Sequence, residues 1–283
     1  MLVIKEVAKD LQQFQLQDIT FTLPKGYIMG LIGPNGAGKT TLLHTLLGLY
    51  KADHGEMIRN GYSISEEHNY KDGIGFVLNE DCFLTGLSLQ KNADYFGSFY
   101  SNYSSKRFQD LCRQYELLPE RKLKKLSKGE KLKFQFAFAL SHQPELLILD
   151  EPTANFDPEF QKEFLRTITG FVNDGEHSVL LATHLTKELD RIADYITFLN
   201  HGKLVFSKDK ESMYDSYRLL IGEDYKLNLI RKERVLYKEV GKHTSKALVY
   251  HTKRSEYDKE IVVQIPSIED IMYFTLKSEE RRK

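Results

Sequence analysis

Three observations predict an α/β fold with a mainly parallel core sheet. An apolar run, Tyr27–Ile32, leads into Gly33-Pro34-Asn35-Gly36-Ala37-Gly38-Lys39-Thr40-Thr41 and then into an amphipathic run, Leu42–Leu49. Leu146–Leu149 and Val179–Ala182 are continuous apolar runs, the pattern of strands buried on both faces of a parallel sheet. Strand-like and helix-like stretches alternate along the chain. Ligand sites in such sheets lie beyond the carboxyl ends of the strands. The glycine-rich stretch, Asp150-Glu151 and His184 each follow an apolar strand at that end.

In chain order, residues 1 to about 26 read as strands, with Gln15–Leu23 alternating and Pro24-Lys25-Gly26 as a turn. The helix after the glycine-rich stretch is expected to reach about Tyr50. Gly55–Tyr62 reads as a strand ending in an Asn60-Gly61 turn, and Ile74–Leu78 as another strand. From about Leu84 to Gln143 the pattern is helical and rich in Tyr and Phe, until Pro144 breaks it. Asn155–Pro158 is a turn before a helix to about Val172, and a second helix runs from about Thr186 to Ala193. Tyr195–Leu199 and Lys203–Phe206 form a hairpin across His201-Gly202. Beyond Asp209, Tyr237–Tyr250 and Ile261–Ile265 are strand-rich. Pro266–Phe274 reads as a helix capped by Ser267, and Glu279–Lys283 as a solvated, frayed end.

Bulk properties narrow the partners. The 283 residues carry 40 basic and 40 acidic side chains, so charge points to neither nucleic acid nor an anionic membrane surface. No apolar run approaches the roughly 20 residues that span a bilayer. Met1–Glu6 lacks the apolar core of a signal peptide, so a soluble cytoplasmic chain is expected. Cys82 and Cys112 have no metal or redox spacing and read as reduced structural thiols.

Gly33–Thr41 fits G-x-x-x-x-G-K-[ST] in the strand-loop-helix context that a phosphate-binding loop requires. Its glycines let successive N–H groups turn toward phosphate oxygens, and the helix N-terminus adds its positive dipole end. Lys39 is placed to neutralise β- and γ-phosphates and Thr40 to hold Mg²⁺. Ser127-Lys128-Gly129-Glu130 before an apolar helix is a capping box, and a capped helix N-terminus beside a glycine is also an anion site.

With these motifs in that order, residues 1 to 208 resemble an ATP-binding cassette (ABC) ATPase, a P-loop NTPase. The resemblance implies an N-terminal antiparallel β-subdomain, a helical subdomain at about 80–143 and an accessory α+β extension at 209–283. It implies that Gly33–Thr41 binds ATP, that Asp150 with Thr40 holds Mg²⁺, and that Glu151 polarises the attacking water. Ser127–Glu130 corresponds to the family signature, which meets ATP held by a second ATPase chain. Asp157 corresponds to the dimer-contacting aspartate. His184 corresponds to the switch histidine, donating to the γ-phosphate while its other nitrogen contacts backbone. Three motifs depart from the family pattern. Lys128 and Glu130 replace glycine and glutamine of the signature. Asn79 stands where the family has a Mg²⁺-contacting glutamine. Leu11 stands where an aromatic residue often stacks on adenine, with Phe14 nearby; Phe14 serves equally as a core residue of its strand, which leaves ATP and GTP both open.

The resemblance implies a motor that docks on a separate multispan membrane permease at the cytoplasmic face of the cell membrane. The aromatic segment from about Asp81 to Tyr103 is the implied docking site, with Tyr100 and Tyr103 as exposed members. Gln15–Thr41 is most similar to ATPases of bacterial drug and antimicrobial-peptide exporters. The alternatives are a soluble ABC ATPase acting on the ribosome or DNA, and a small-molecule kinase. Against the first, the chain has one phosphate loop and no long heptad insertion. The second leaves the signature and His184 without a role.

Overall fold

The structure, a computed structural model, describes residues 1–64, 70–250 and 257–282. β1 (Leu2–Asp10) and β2 (Gln15–Leu23) form an antiparallel pair, and alternation along β2 buries Leu16, Ile19, Phe21 and Leu23. β3 (Ile28–Ile32) is buried along its whole length and delivers the glycine-rich loop to α1 (Lys39–Leu46). β4 (His54–Arg59) and β5 (Tyr62–Ser63) pair across Asn60 and Gly61, at φ 52° and 90°, the doubly positive turn that Asn-Gly favours. β6 (Ile74–Val77) leads into α2 (Leu89–Gly97), α3 (Ser105–Gln114) and α4 (Lys128–Ser141). The chain returns through β7 (Leu146–Asp150), α5 (Pro158–Phe171), β8 (Ser178–Ala182), α6 (Thr186–Ile192), β9 (Tyr195–Asn200) and β10 (Lys203–Asp209). It closes with α7 (Lys210–Ser216), β11 (Tyr217–Gly222), α8 (Asp224–Leu227), β12 (Val235–Glu239), β13 (Ser245–Tyr250), β14 (Val262–Gln264) and α9 (Ile268–Arg282).

Among the described residues one sheet has ten strands in the order β5-β4-β1-β2-β10-β9-β3-β8-β7-β6. The pairs from β9 through β6 are parallel, and β10 returns antiparallel to β9. β10 meets β2 at Lys203 and Gln17, where the sheet passes into its antiparallel end. The second sheet is antiparallel, ordered β12-β13-β11-β14. The helical segment is held by rings. Phe83 lies edge-on to Phe96, Phe134 and Phe138 at centroid distances of 5.0, 4.8 and 5.3 Å.

Four expectations are corrected. α1 ends at Leu46 rather than Tyr50, because Gly48 turns the chain at φ 65°. β11, the strand between β13 and β14, was not anticipated: Tyr217–Ile221 is apolar without a clear period of two. The C-terminal residues through Arg282 are helical rather than frayed, because Ile271 and Phe274 are buried in the main core and Glu279 accepts a hydrogen bond from Asn200 Nδ2 at 2.5 Å; Lys283 lies outside the described residues. Tyr100 and Tyr103 are not exposed. Tyr100 stacks on His142 at 3.9 Å, and the Tyr103 hydroxyl donates to Asp94 at 2.8 Å. The exposed aromatic residues of this segment are Tyr95 and Phe99.

His142 is buried, with neither ring nitrogen hydrogen-bonded, and burial lowers its pKa to about 4. The unfolded chain takes this proton near pH 6.5 and the folded chain does not. Stability is therefore fully present above pH 6.5 and is lost as pH falls toward 4, by on the order of 3 kcal/mol. Urea unfolding of the parent and of His142→Phe between pH 4.5 and 8 should show the parent losing ground to the variant as pH falls.

Candidate active site at the strand ends

Close packing shapes the glycine-rich loop. A Cβ on Gly33 would lie 2.3 Å from the carbonyl oxygen of Leu199, so only glycine fits there. Gly38, at φ 107°, turns the chain into α1. Lys39 is buried, and its ammonium donates to the carbonyls of Gly33 at 2.8 Å and Pro34 at 3.3 Å. Burial lowers its pKa, opposed by Glu151, whose Oε1 is 3.9 Å away, and by Asp150.

Two further strand ends complete the cluster. Thr40 Oγ1 donates to Asp150 Oδ2 at 2.7 Å. Asp150 Oδ1 is buried without a hydrogen-bond partner, and burial raises the pKa of this carboxyl. Glu151 sits in left-handed backbone, φ 48°, a strained conformation for a non-glycine residue. Its N–H donates to the Ala182 carbonyl at 2.9 Å, which ties β7 to β8 at the site. Glu151 Oε2 accepts from Thr183 Oγ1 at 3.1 Å and lies 2.8 Å from His184 Nδ1. The partner of that imidazole nitrogen is thus a carboxylate, where a backbone contact was expected. Lys39, Thr40, Asp150, Glu151 and His184, distant in sequence, form one connected group.

Other expected site residues stand apart from it. Ser127 and Glu130 form the capping box, with Glu130 also paired to Arg121. The Ser127 backbone N–H and then Arg121 hold the Glu130 pKa below its usual value. Lys128 is exposed at the first turn of α4. A Cβ on Gly129 would meet the Asn155 carbonyl oxygen at 2.5 Å, so this turn is packed against the segment before Asp157. Asp157 caps α5 by accepting from Phe160 N at 2.8 Å and pairs with Lys133 at 3.2 Å. No hydrogen bond or ion pair among the described residues joins Ser127–Glu130 or Asp157 to the Lys39 group.

Asn79 is exposed and lines a cleft with Lys128 and Gln135; no hydrogen bond joins it to Thr40 or Asp150 among the described residues. Phe14 precedes β2 rather than lying within it. Its ring rests on the glycine-rich loop, where a Cβ on Gly38 would come within 2.7 Å. Two residues escaped the sequence reading. Gln135, buried among the phenylalanines of α4, accepts from Leu78 N and donates to the carbonyls of Leu78 and Glu80 at 2.8, 2.9 and 3.2 Å. His44, buried on α1, lies 3.6 Å from Glu80. The lone amide in Phe134-Gln135-Phe136 was the one available signal.

A phosphate-binding loop at the end of a parallel strand, with a histidine after the next strand, β8, and an Asp-Glu pair at the end of the one beyond it, β7, defines a P-loop nucleotide hydrolase. Residues 16–154 match the ABC transporter family. The chain is 32% identical over 196 residues to the lantibiotic transport ATP-binding protein SrtF of Streptococcus pyogenes, covering 69% of this chain and 84% of that one. It is 26% identical over 236 residues to the ABC transporter ATP-binding protein YtrB of Bacillus subtilis, covering 83% of this chain and 81% of that one. The fold is shared with a dimeric ATP-binding cassette, MJ0796, in a post-hydrolysis state bound to ADP and Pi (TM-score 0.67, 20% identity, 74% of this chain and 98% of that one). The chain belongs to the ATP-binding subunits of the ABC transporter family; it binds ATP and is an ATPase.

Gly129→Ala should separate the α4 N-terminus from the Asn155 segment, at a cost of about 1–3 kcal/mol for overpacking. Chemical denaturation of parent and variant tests this, with Gly170→Ala as control, since no atom lies within 4 Å of a Cβ there.

Proposed function

We propose that the chain is the motor subunit of a bacterial exporter of drugs or of hydrophobic or amphipathic peptides, working as a dimer on a separate membrane permease. The carrying observation is the division of the motifs. Lys39, Thr40, Asp150, Glu151 and His184 are assembled within the chain, whereas Ser127 and Lys128 stand exposed and unconnected to that group. A second chain presenting its Ser127–Glu130 turn to the loop of the first completes each site. The name of SrtF, which refers to lantibiotic transport, supports the substrate class. No described helix is long and apolar enough to cross a membrane, so the transport path is assigned to a partner.

In this reading the N–H groups of Gly36–Thr41 and the ammonium of Lys39 hold the β- and γ-phosphates. Lys39 leaves the Gly33 and Pro34 carbonyls to do so. Glu151, aimed by Thr183 and His184, orients water toward the γ-phosphate and takes its proton. Thr40 Oγ1 and the unpartnered Asp150 Oδ1 are the hard oxygen donors that would suit Mg²⁺, and Asn79 is the third residue assigned to it in this reading. When bound there, the ion would supply charge neutralisation on the phosphates. The docking surface is a largely apolar groove of about 390 Å³ lined by Leu47, Leu49, Phe76, Cys82 and Tyr100, with exposed Leu84, Tyr95 and Phe99 on the same segment. It suits an amphipathic helix of the permease.

Glu151→Gln should lower ATP turnover by about 10²–10⁴-fold while retaining bound ATP; near-parental turnover removes Glu151 from the mechanism. Lys128→Gly should weaken ATP-driven dimerisation only modestly by light scattering. Capture of tagged Glu151→Gln protein with Mg-ATP from detergent-solubilised native membranes should recover a multispan membrane protein. Recovery of ribosomal or DNA-bound proteins without one overturns the motor reading.

A further inference from the structure

The phosphate loop has a neighbour that no family motif contains. α9 is 15 residues long, about 22 Å, and is bound to the ATPase body at both ends. At its start, Ile268 N donates to Asp190 Oδ1 at 3.2 Å, on the helix that follows His184. Along its length Ile268, Ile271 and Phe274 are buried in the same core as β3, β7 and β8. At its end, Glu279 Oε2 accepts from Asn200 Nδ2 at 2.5 Å. Asn200 is itself buried, at the end of β9, one residue after the carbonyl that excludes a Cβ from Gly33. Between the helix end and the loop lies a cavity of about 250 Å³. Pro34, Asn35, Gly36 and Ala37 line it from the loop, Leu276, Glu279 and Glu280 from the helix, and Asn200 and His201 from the end of β9.

The last turn of α9 carries two acids, Glu279 and Glu280, which oppose its dipole, and two arginines, Arg281 and Arg282, which favour it; both acids line the cavity and Arg281 does not. Glu280 is offset by an exposed pair with Lys277 at 2.8 Å. No ion pair joins Glu279 to a cation among the described residues; its hydrogen-bond donor, Asn200, is neutral. The Glu279 carboxylate, hydrogen-bonded to a neutral amide, is thus held beside a loop that in the proposed reading receives several negative charges.

We infer that the end of α9 is a wall of the nucleotide site and that Glu279, with a smaller contribution from Glu280, weakens polyphosphate binding by charge repulsion. The inference rests on the reading of Gly33–Thr41 as the ATP loop. Linkage makes the effect mutual: ATP bound at the loop loosens the end of α9, so the C-terminal extension registers nucleotide occupancy.

The test is equilibrium binding of ATP and ADP to the full chain, at low and at 0.5 M salt. Glu279→Gln keeps an acceptor for Asn200 and removes only the charge. It should bind ATP at least about threefold tighter than the parent, with a smaller gain for ADP and with both gains shrinking at high salt, because screening shortens the reach of the carboxylate. Glu280→Gln should show a weaker gain in the same order, and Glu279→Asp should bind as the parent does. Unchanged or weaker ATP binding by Glu279→Gln, in protein whose thermal unfolding matches the parent, overturns the inference. Lys39→Ala separates the two readings: if it binds ATP like the parent, the loop reading fails and the wall fails with it.

Discussion

The site depends on one buried cation. The ammonium of Lys39 is enclosed at the end of β3, and a charge removed from water must be met by polar groups of the chain. Two carbonyls of its own loop meet it directly, and the Glu151 carboxylate stands 3.9 Å away. Glu151 is in turn held by Thr183 and His184 from the end of β8. Three strand ends are therefore tied through a single positive charge. The tie runs through the groups assigned to hydrolysis in the proposed mechanism, and the carbonyls that hold the cation are ones that phosphate oxygens could replace. The neighbouring anion is less well met. Asp150 has one oxygen on Thr40 and the other without a hydrogen bond, and burial has already pushed its carboxyl toward the neutral form. A divalent ion would satisfy that oxygen and relieve the cost of burying the charge.

What was legible in the sequence follows from how local each signal was. The glycine-rich loop, β7 and β8 were readable because their residue types answer constraints within a few positions: no Cβ at Gly33, continuous burial along Leu146–Leu149, a capping box at Ser127. Long-range pairing was less readable. β11 is an apolar run whose role depends on β13 and β14, both later in the chain. The end of α9 looked solvated because Glu279-Glu280-Arg281 has no apolar partner nearby in sequence; its partner is Asn200, 79 residues away. The exposure of Tyr100 and Tyr103 was misjudged for the same reason, since His142 covers one ring and Asp94 holds the hydroxyl of the other. Gln135 shows the opposite case. A buried amide in an apolar helix needs a partner, but nothing local to α4 indicates that the partner is the backbone of residues 78–80.

That amide bears on how a motor could be coupled to its load. Residues 78–81 border both the apolar groove and the cleft beside Lys128. Gln135 binds their backbone to α4, the helix that begins at Ser127. Glu80 approaches His44 on α1, the helix that carries Thr40 and, through it, Asp150. Lys131 on α4 pairs with Asp81 at 2.8 Å, so the same short segment is tied to α4 on a second side. A helix pressed into the groove would push on residues that continue from β6 and are tied to α4 through Gln135 and Lys131 and toward α1 through Glu80. In the proposed dimer the Ser127 turn and the Thr40 helix are the two places where a shared ATP would be gripped from opposite chains. Both helices are packed against the sheet and the phenylalanine cluster, so a displacement of residues 78–81 would move them as units rather than deform them.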